Sequence, residues 1–258
     1  MSARGRPAAV PAGQRLHALD AARGLLALVV VARHVALALR LDALGVAADI
    51  AVAVFFAMSG YVLARAGAGP YLGFLLRRAV RLWPVYAVCL AAACLSQSGA
   101  LPPVRELLWW PATLDTSRMA DPPAWSLFVE AWVTPLLPLM FLVTRRGQFA
   151  AVAMVVAAAL LMQAAPWSFP LLFFALGVAL TAFPIDWPQR VPAPLRWLGK
   201  ISYSLYLSHD VLLLALPLAV ALPLILPVAW ALWWAVERPS ILWSRMVAPV
   251  PPPVRAKA

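Results

Sequence analysis

Residues 19–39, LDAARGLLALVVVARHVALAL, form an apolar run long enough to cross a bilayer, yet the run opens with Asp20 and Arg23 and carries His34 inside it. Ionisable groups are costly in hydrocarbon, so finding them within a spanning segment is in itself an expectation of function. Arg23 and His34 stand eleven residues apart, just over three helical turns. That spacing puts both side chains on nearly one face, roughly 16 Å apart along the axis. With Arg23 at the membrane boundary, His34 is expected near the middle of a hydrocarbon layer about 30 Å thick.

Further apolar runs follow with short gaps, and eight spans are expected at about 23–40, 47–64, 80–97, 125–143, 149–165, 167–185, 201–217 and 223–237. Composition agrees: 64% of the residues are hydrophobic and 12% charged, half the charge of an ordinary soluble domain. The expected fold is all-α, a polytopic helical membrane protein whose spans surround an intramembrane pocket. A cytoplasmic N-terminus collects most of the arginines on one side, including Arg65, Arg77, Arg78, Arg81, Arg145, Arg146 and Arg196. This is the positive-inside pattern, and it explains the net charge of +11 without a nucleic-acid partner. The division is residues 1–18 as a cytoplasmic tail, 19–243 as the membrane domain and 244–258 as a Pro-rich cytoplasmic tail. Ala36-Leu37-Ala38 mimics a leader cleavage site, but Arg33 and His34 interrupt the run, which is therefore read as a retained span. Cys89 and Cys94 match no metal-ligand spacing, and no metal is expected.

Several stretches concentrate polar chemistry on these spans. Met58-Ser59-Gly60-Tyr61 ends the second, where Gly60 permits close helix approach and Ser59 reads as an interface residue. Arg77, Arg78 and Arg81 make one basic face at the start of the third. In the long connection 98–124, Trp109 and Trp110 suggest a segment at the membrane interface. Ser126 and Glu130 share a face just after Trp125, and Pro135 and Pro138 are expected to bend that span. Spans five and six carry almost no polar side chains and read as scaffold. The seventh is polar from Ser202 to Asp210 and includes His209, while the eighth closes on Glu237-Arg238-Pro239, with Glu237 expected to pair locally with arginines.

The segments LDAARG…RH (19–34), FFAMSGYVLA (55–64), RRAVRLWPVY (77–86), WSLFVE (125–130), ISYSLYLSH (201–209) and VERP (236–239), in that order, resemble acyltransferase family 3, bacterial inner-membrane O-acyltransferases. The chain is shorter than members with ten spans, and Asp210 stands where an apolar residue is commoner. The resemblance implies transfer of an acyl group, acetyl in the simplest case, from acyl-coenzyme A (acetyl-CoA) to a hydroxyl of an envelope glycan, lipid-linked sugar or small molecule. His34 suits a general base, its unperturbed pKa of about 6.5 lying near working pH. Arg23, Arg77, Arg78 and Arg81 are the expected dock for the coenzyme's phosphates, through forked guanidinium donors. Trp125, Ser126 and His209 are expected at the acceptor, His209 alternatively bonding helix to helix. Glu130 is expected to orient His34, bind acceptor hydroxyls, act as a second acid/base, or pair Arg33. The competing readings are a proton-coupled transporter and an inactive shortened paralogue. Both termini are expected on the cytoplasmic side of a bacterial inner membrane.

Overall fold

The structure, a computed structural model, describes residues 16–67, 69–108, 119–188 and 190–247. Trp109, Trp110 and both tails lie outside that range. Its regular elements are helical: α1 (His17–Ala38), α2 (Gly45–Ala66), α3 (Tyr71–Ser98), α4 (Val104–Leu107), α5 (Trp125–Val133), α6 (Leu137–Thr144), α7 (Gln148–Ala164), α8 (Phe169–Ala179), α9 (Ala193–Ala215), α10 (Leu218–Leu232) and α11 (Arg238–Val247). Five helical stretches are long and apolar enough to cross a membrane: α1, α2, α3, Pro122–Thr144 and Leu218–Val247. Gln148–Ala164 and Phe169–Ala182 are apolar but shorter. The molecule is thus a helical membrane protein in which five of the eight expected spans meet that standard unaided.

The last helical stretch is longer than expected. Helix α10 begins at Leu218 and runs through a π-helical turn, Trp233–Glu237, into α11, so the last span is longer than 223–237 and residue 243 falls inside a helix. Pro135 has no N–H to give, and a 3₁₀ turn, Thr134–Leu136, separates α5 from α6.

The polar helix α9 stands at the centre, packed against α1, α3 and α10, and is buried almost continuously from Leu198 to Val211. Its low hydropathy has a simple reason. A helix enclosed by others has no lipid to match, and its hydroxyls find partners on its neighbours: Tyr203 donates to the Leu82 carbonyl at 2.7 Å and Ser204 to Glu237 at 2.7 Å. At the margin, α7 buries only Ala151 and turns Phe149, Val152, Val156 and Leu160 outward, as expected of scaffold.

Two glycine crossings set how deeply the helices approach. A Cβ on Gly199 of α9 would lie 2.1 Å from the Asp20 carbonyl oxygen of α1, and one on Gly177 of α8 would lie 1.8 Å from the Ala57 oxygen of α2. Both contacts are with backbone, which cannot swing aside. Gly177→Ala is therefore expected to cost at least about 1–3 kcal/mol by overpacking, read as a lower unfolding midpoint in detergent; an unchanged midpoint would mean the crossing is looser than described.

Candidate active site

The first turns of α1 and α9 and the basic face of α3 converge on a cavity of about 390 Å³, within the range of about 300–1,000 Å³ usual for small-molecule sites. Arg23, Arg78, Arg81, Lys200, Arg238 and Arg245 line it, against two carboxylates, Glu130 and Glu237. The π-helical turn at Trp233–Glu237 brings Trp233 and Glu237 to the wall, and α11 adds Arg238 and Arg245. At one end the wall is Phe55, Ser126 and Tyr206. Ser126 Oγ and the Tyr206 hydroxyl are 2.9 Å apart, and Tyr206 donates to the Pro123 carbonyl at 3.0 Å.

The guanidinium groups are only partly neutralised. Arg23 bonds Asp20 at 2.8 Å, and Arg78 forms a salt bridge with Glu130, whose carboxylate also accepts from Ser59 Oγ. The Nε–H groups of Arg23 and Arg78 are buried without an acceptor among the described residues. A buried N–H donor left unpaired is costly, and a multiply charged anion would satisfy both.

His34 lies elsewhere. It is four residues from the end of α1, not midway along it. Its neighbour Arg33 reaches out to Asp42 at 2.9 Å and to the Ala43 carbonyl at 2.7 Å, in the loop leading to α2. The imidazole turns inward: Nδ1 of His34 is 2.8 Å from Nε2 of His209, and Nδ1 of His209 is 3.1 Å from the Leu205 carbonyl. The Asp210 carboxylate joins them, with donor atoms of all three residues within 4.8 Å of one another. The rings of Tyr206 and His209 are 6.2 Å apart, and Phe55 meets Tyr206 edge-on at 5.7 Å. Phe55 and Tyr206 are both in the cavity wall, and His34 is not.

The expected residues therefore divide. Arg23, Arg78, Arg81 and Ser126 meet in the cavity, whereas Arg77 is not in its wall, because consecutive helical residues point about 100° apart. Glu130 is in the cavity too, held by Arg78 and Ser59 rather than by His34 or Arg33. Trp125 is not in the wall; it meets Phe56 edge-on at 6.0 Å and Phe169 at a tilt at 6.1 Å. His209 is fully buried and meets His34 instead of lining the pocket. Glu237 accepts from Ser204 and stands in the wall with Arg81 and Arg238. The sequence reading left out Tyr206, Lys200, Arg238, Arg245 and any role for Asp210. Of these only Asp210, a carboxylate inside an expected span, carried a usable signal.

Toward the same end of the molecule as His34, Asp121 and Glu106 are buried, at 1% and 3% exposure. Burial, reinforced by Asp210 and Glu106, pushes the Asp121 carboxyl well above the usual range; burial likewise raises Glu106, whose neighbour Arg105 pulls the other way. Both groups therefore favour the protonated form more than an exposed carboxyl does.

Glu130 gives a clean structural test. Arg78 and Glu130 retain only 11% and 15% side-chain exposure, so Glu130→Ala strands a buried guanidinium. The expected loss is about 3–5 kcal/mol of stability, seen as a lowered midpoint in detergent. A variant as stable as the parent would argue against the pairing.

A bundle of apolar helices that encloses a cationic cavity, with a buried imidazole and carboxylate beyond it, defines an integral membrane protein with a basic internal site. Residues 16–185 match the family described as an acyltransferase domain, well over half of the chain, and the protein belongs to that family, acyltransferase family 3. It is similar to "Protein 2 in picA locus" of Rhizobium radiobacter, 34% identical over 150 residues that span 45% of this chain and 78% of that one. No solved structure matches. The family match ends before α9, so His209, Asp210 and Glu237 lie beyond the matched residues.

Proposed function

We propose that the protein moves an acyl group, acetyl in the simplest case, from acyl-coenzyme A to a hydroxyl of a cell-envelope glycan, a lipid-linked sugar or a small molecule. The observation that carries this reading is the cavity. It presents six cationic side chains against two carboxylates, and two of its guanidinium groups hold buried N–H donors without acceptors among the described residues. Those residues suit the phosphates of coenzyme A, with Arg23, Arg78 and Arg81 as the principal donors. Arg238 and Arg245 sit on the same wall and add to the positive field.

On this reading the pantetheine arm runs from the arginines toward Ser126 and Tyr206, and the contact between Phe55 and Tyr206 parts to let the thioester reach His34. The acceptor hydroxyl then attacks the thioester carbonyl. Its proton passes to His34, the C–S bond breaks, and the coenzyme thiolate leaves and is protonated. The arginine-bearing end of α1 faces the cytoplasm of a bacterial inner membrane, with both termini on that side. Helices α7, α8 and α9 complete eight crossings, α9 being shielded from lipid by its neighbours.

Membranes carrying the protein should turn over acetyl-CoA, and more so when envelope acceptor is supplied. Proton-coupled solute flux with no acetyl-CoA turnover would replace this reading with a transporter.

A further inference from the structure

Chemistry at His34 depends on which ring nitrogen carries the proton, and that choice is made by its neighbours. The Leu205 carbonyl can only accept a hydrogen bond, so Nδ1 of His209, 3.1 Å from it, carries a hydrogen. The neutral His209 ring then has an acceptor at Nε2. That atom faces Nδ1 of His34 at 2.8 Å, so Nδ1 of His34 must donate. The lone pair of a neutral His34 is left on Nε2.

We propose that the adjacent residues His209 and Asp210 of α9 are positioning residues that preset His34: His209 fixes its Nδ1–H tautomer so that Nε2 is the proton acceptor, and Asp210 offsets the positive charge formed when Nε2 takes up a proton. The role of His34 as base rests on the acyl-transfer reading above; the tautomer assignment does not. Proton balance is simple. Nε2 gains the hydroxyl proton, Nδ1 keeps its own, and the imidazolium donates through both nitrogens while Asp210 stays ionised. Arg33, the nearest cation on the same helix, is engaged with Asp42 and Ala43. Among the carboxylates on that side, Asp210 has an oxygen within 4.8 Å of the ring nitrogens of His34 and His209, which makes it the counter-charge. His209 is fully buried and outside the cavity wall, which suits a group acting through another rather than on the substrate.

The chain has only three histidines, so ¹⁵N-histidine NMR of the full-length protein in nanodiscs can separate them. The expected result at neutral pH is a His34 signal of the Nδ1–H tautomer, retained in His209→Gln, whose side-chain oxygen still accepts, and lost to a mixture or to Nε2–H in His209→Leu. An Nε2–H tautomer in the parent protein, or no change in His209→Leu, overturns the proposal whatever the enzyme does. With acetyl-CoA as donor and envelope extract as acceptor, His209→Leu should lower kcat by about 10²-fold or more, with little change in KM for acetyl-CoA. His209→Gln should restore most of the rate, and Asp210→Asn should lower kcat at least tenfold. Equal loss in the Gln and Leu variants, or an unaffected Asp210→Asn, would reduce the pair to packing. A parent protein that turns over no acetyl-CoA but holds the Nδ1–H tautomer refutes the acyl-transfer reading and leaves the tautomer assignment standing.

Discussion

Replacing His34 by alanine should cut acyl transfer from acetyl-CoA by about 10²–10⁴-fold, the usual worth of a positioned general base. The protein should remain inserted and extractable. The reason for separating these outcomes lies in the geometry. His34 is half-buried at the outer turns of α1 and its main contact is one hydrogen bond to His209. Its loss removes the proton acceptor but leaves the Gly24–Gly199 crossing, which joins α1 to α9, untouched. Binding of labelled coenzyme A should persist, because Arg23 is eleven residues back along α1, the other cavity arginines are on α3 and α11, and His34 is not in the cavity wall. A His34→Ala protein with parental transfer rates would end the mechanism, and one that lost coenzyme binding as well would place His34 in the donor site.

The second large effect belongs to Arg78 and Arg81. In the Arg78→Lys/Arg81→Lys double variant the charge is conserved but the planar forks are not, and lysine acts on phosphate as a point charge. Each charge-assisted hydrogen bond to a buried site is worth about 1.5–3 kcal/mol. Losing even two bonds lowers coenzyme A affinity by about 10²-fold or more. Arg77→Lys is the informative companion. Arg77 precedes Arg78 on the same helix but is not in the cavity wall, so its affinity should stay within about twofold of the parent. Titration of labelled coenzyme A against detergent-purified protein reads both. Unchanged affinity in the double variant would make the arginines topological anchors; a large loss in Arg77→Lys would mean the donor spreads beyond the cavity described here.

Particular residues show where sequence reasoning reached and where it stopped. The Arg23–His34 spacing, the basic face of α3 and the interruption at Pro135 were all legible, because each depends on the period of one helix or the covalent chemistry of one residue. Nothing local marked the start of α1 at His17, six residues before the first expected spanning residue. Glu130 was legible as an intramembrane carboxylate but not as the partner of Arg78, fifty-two positions away in sequence. Trp125 looked like a substrate contact and is an aromatic neighbour of Phe56 and Phe169.

The sequence alone determined that this chain lives in a membrane, that it is helical, which residues share a face, and that it belongs among acyltransferases. Hydropathy, helical period and motif order carry that information within single segments. Only the tertiary structure decided which faces meet: that Arg78 holds Glu130, that α11 supplies Arg238 and Arg245 to the cavity, and that His209 and Asp210 stand against His34. Those pairings depend on the rotation and relative depth of neighbouring helices. Close backbone contacts such as Gly199 against Asp20 and Gly177 against Ala57 set both, and no local pattern encodes them.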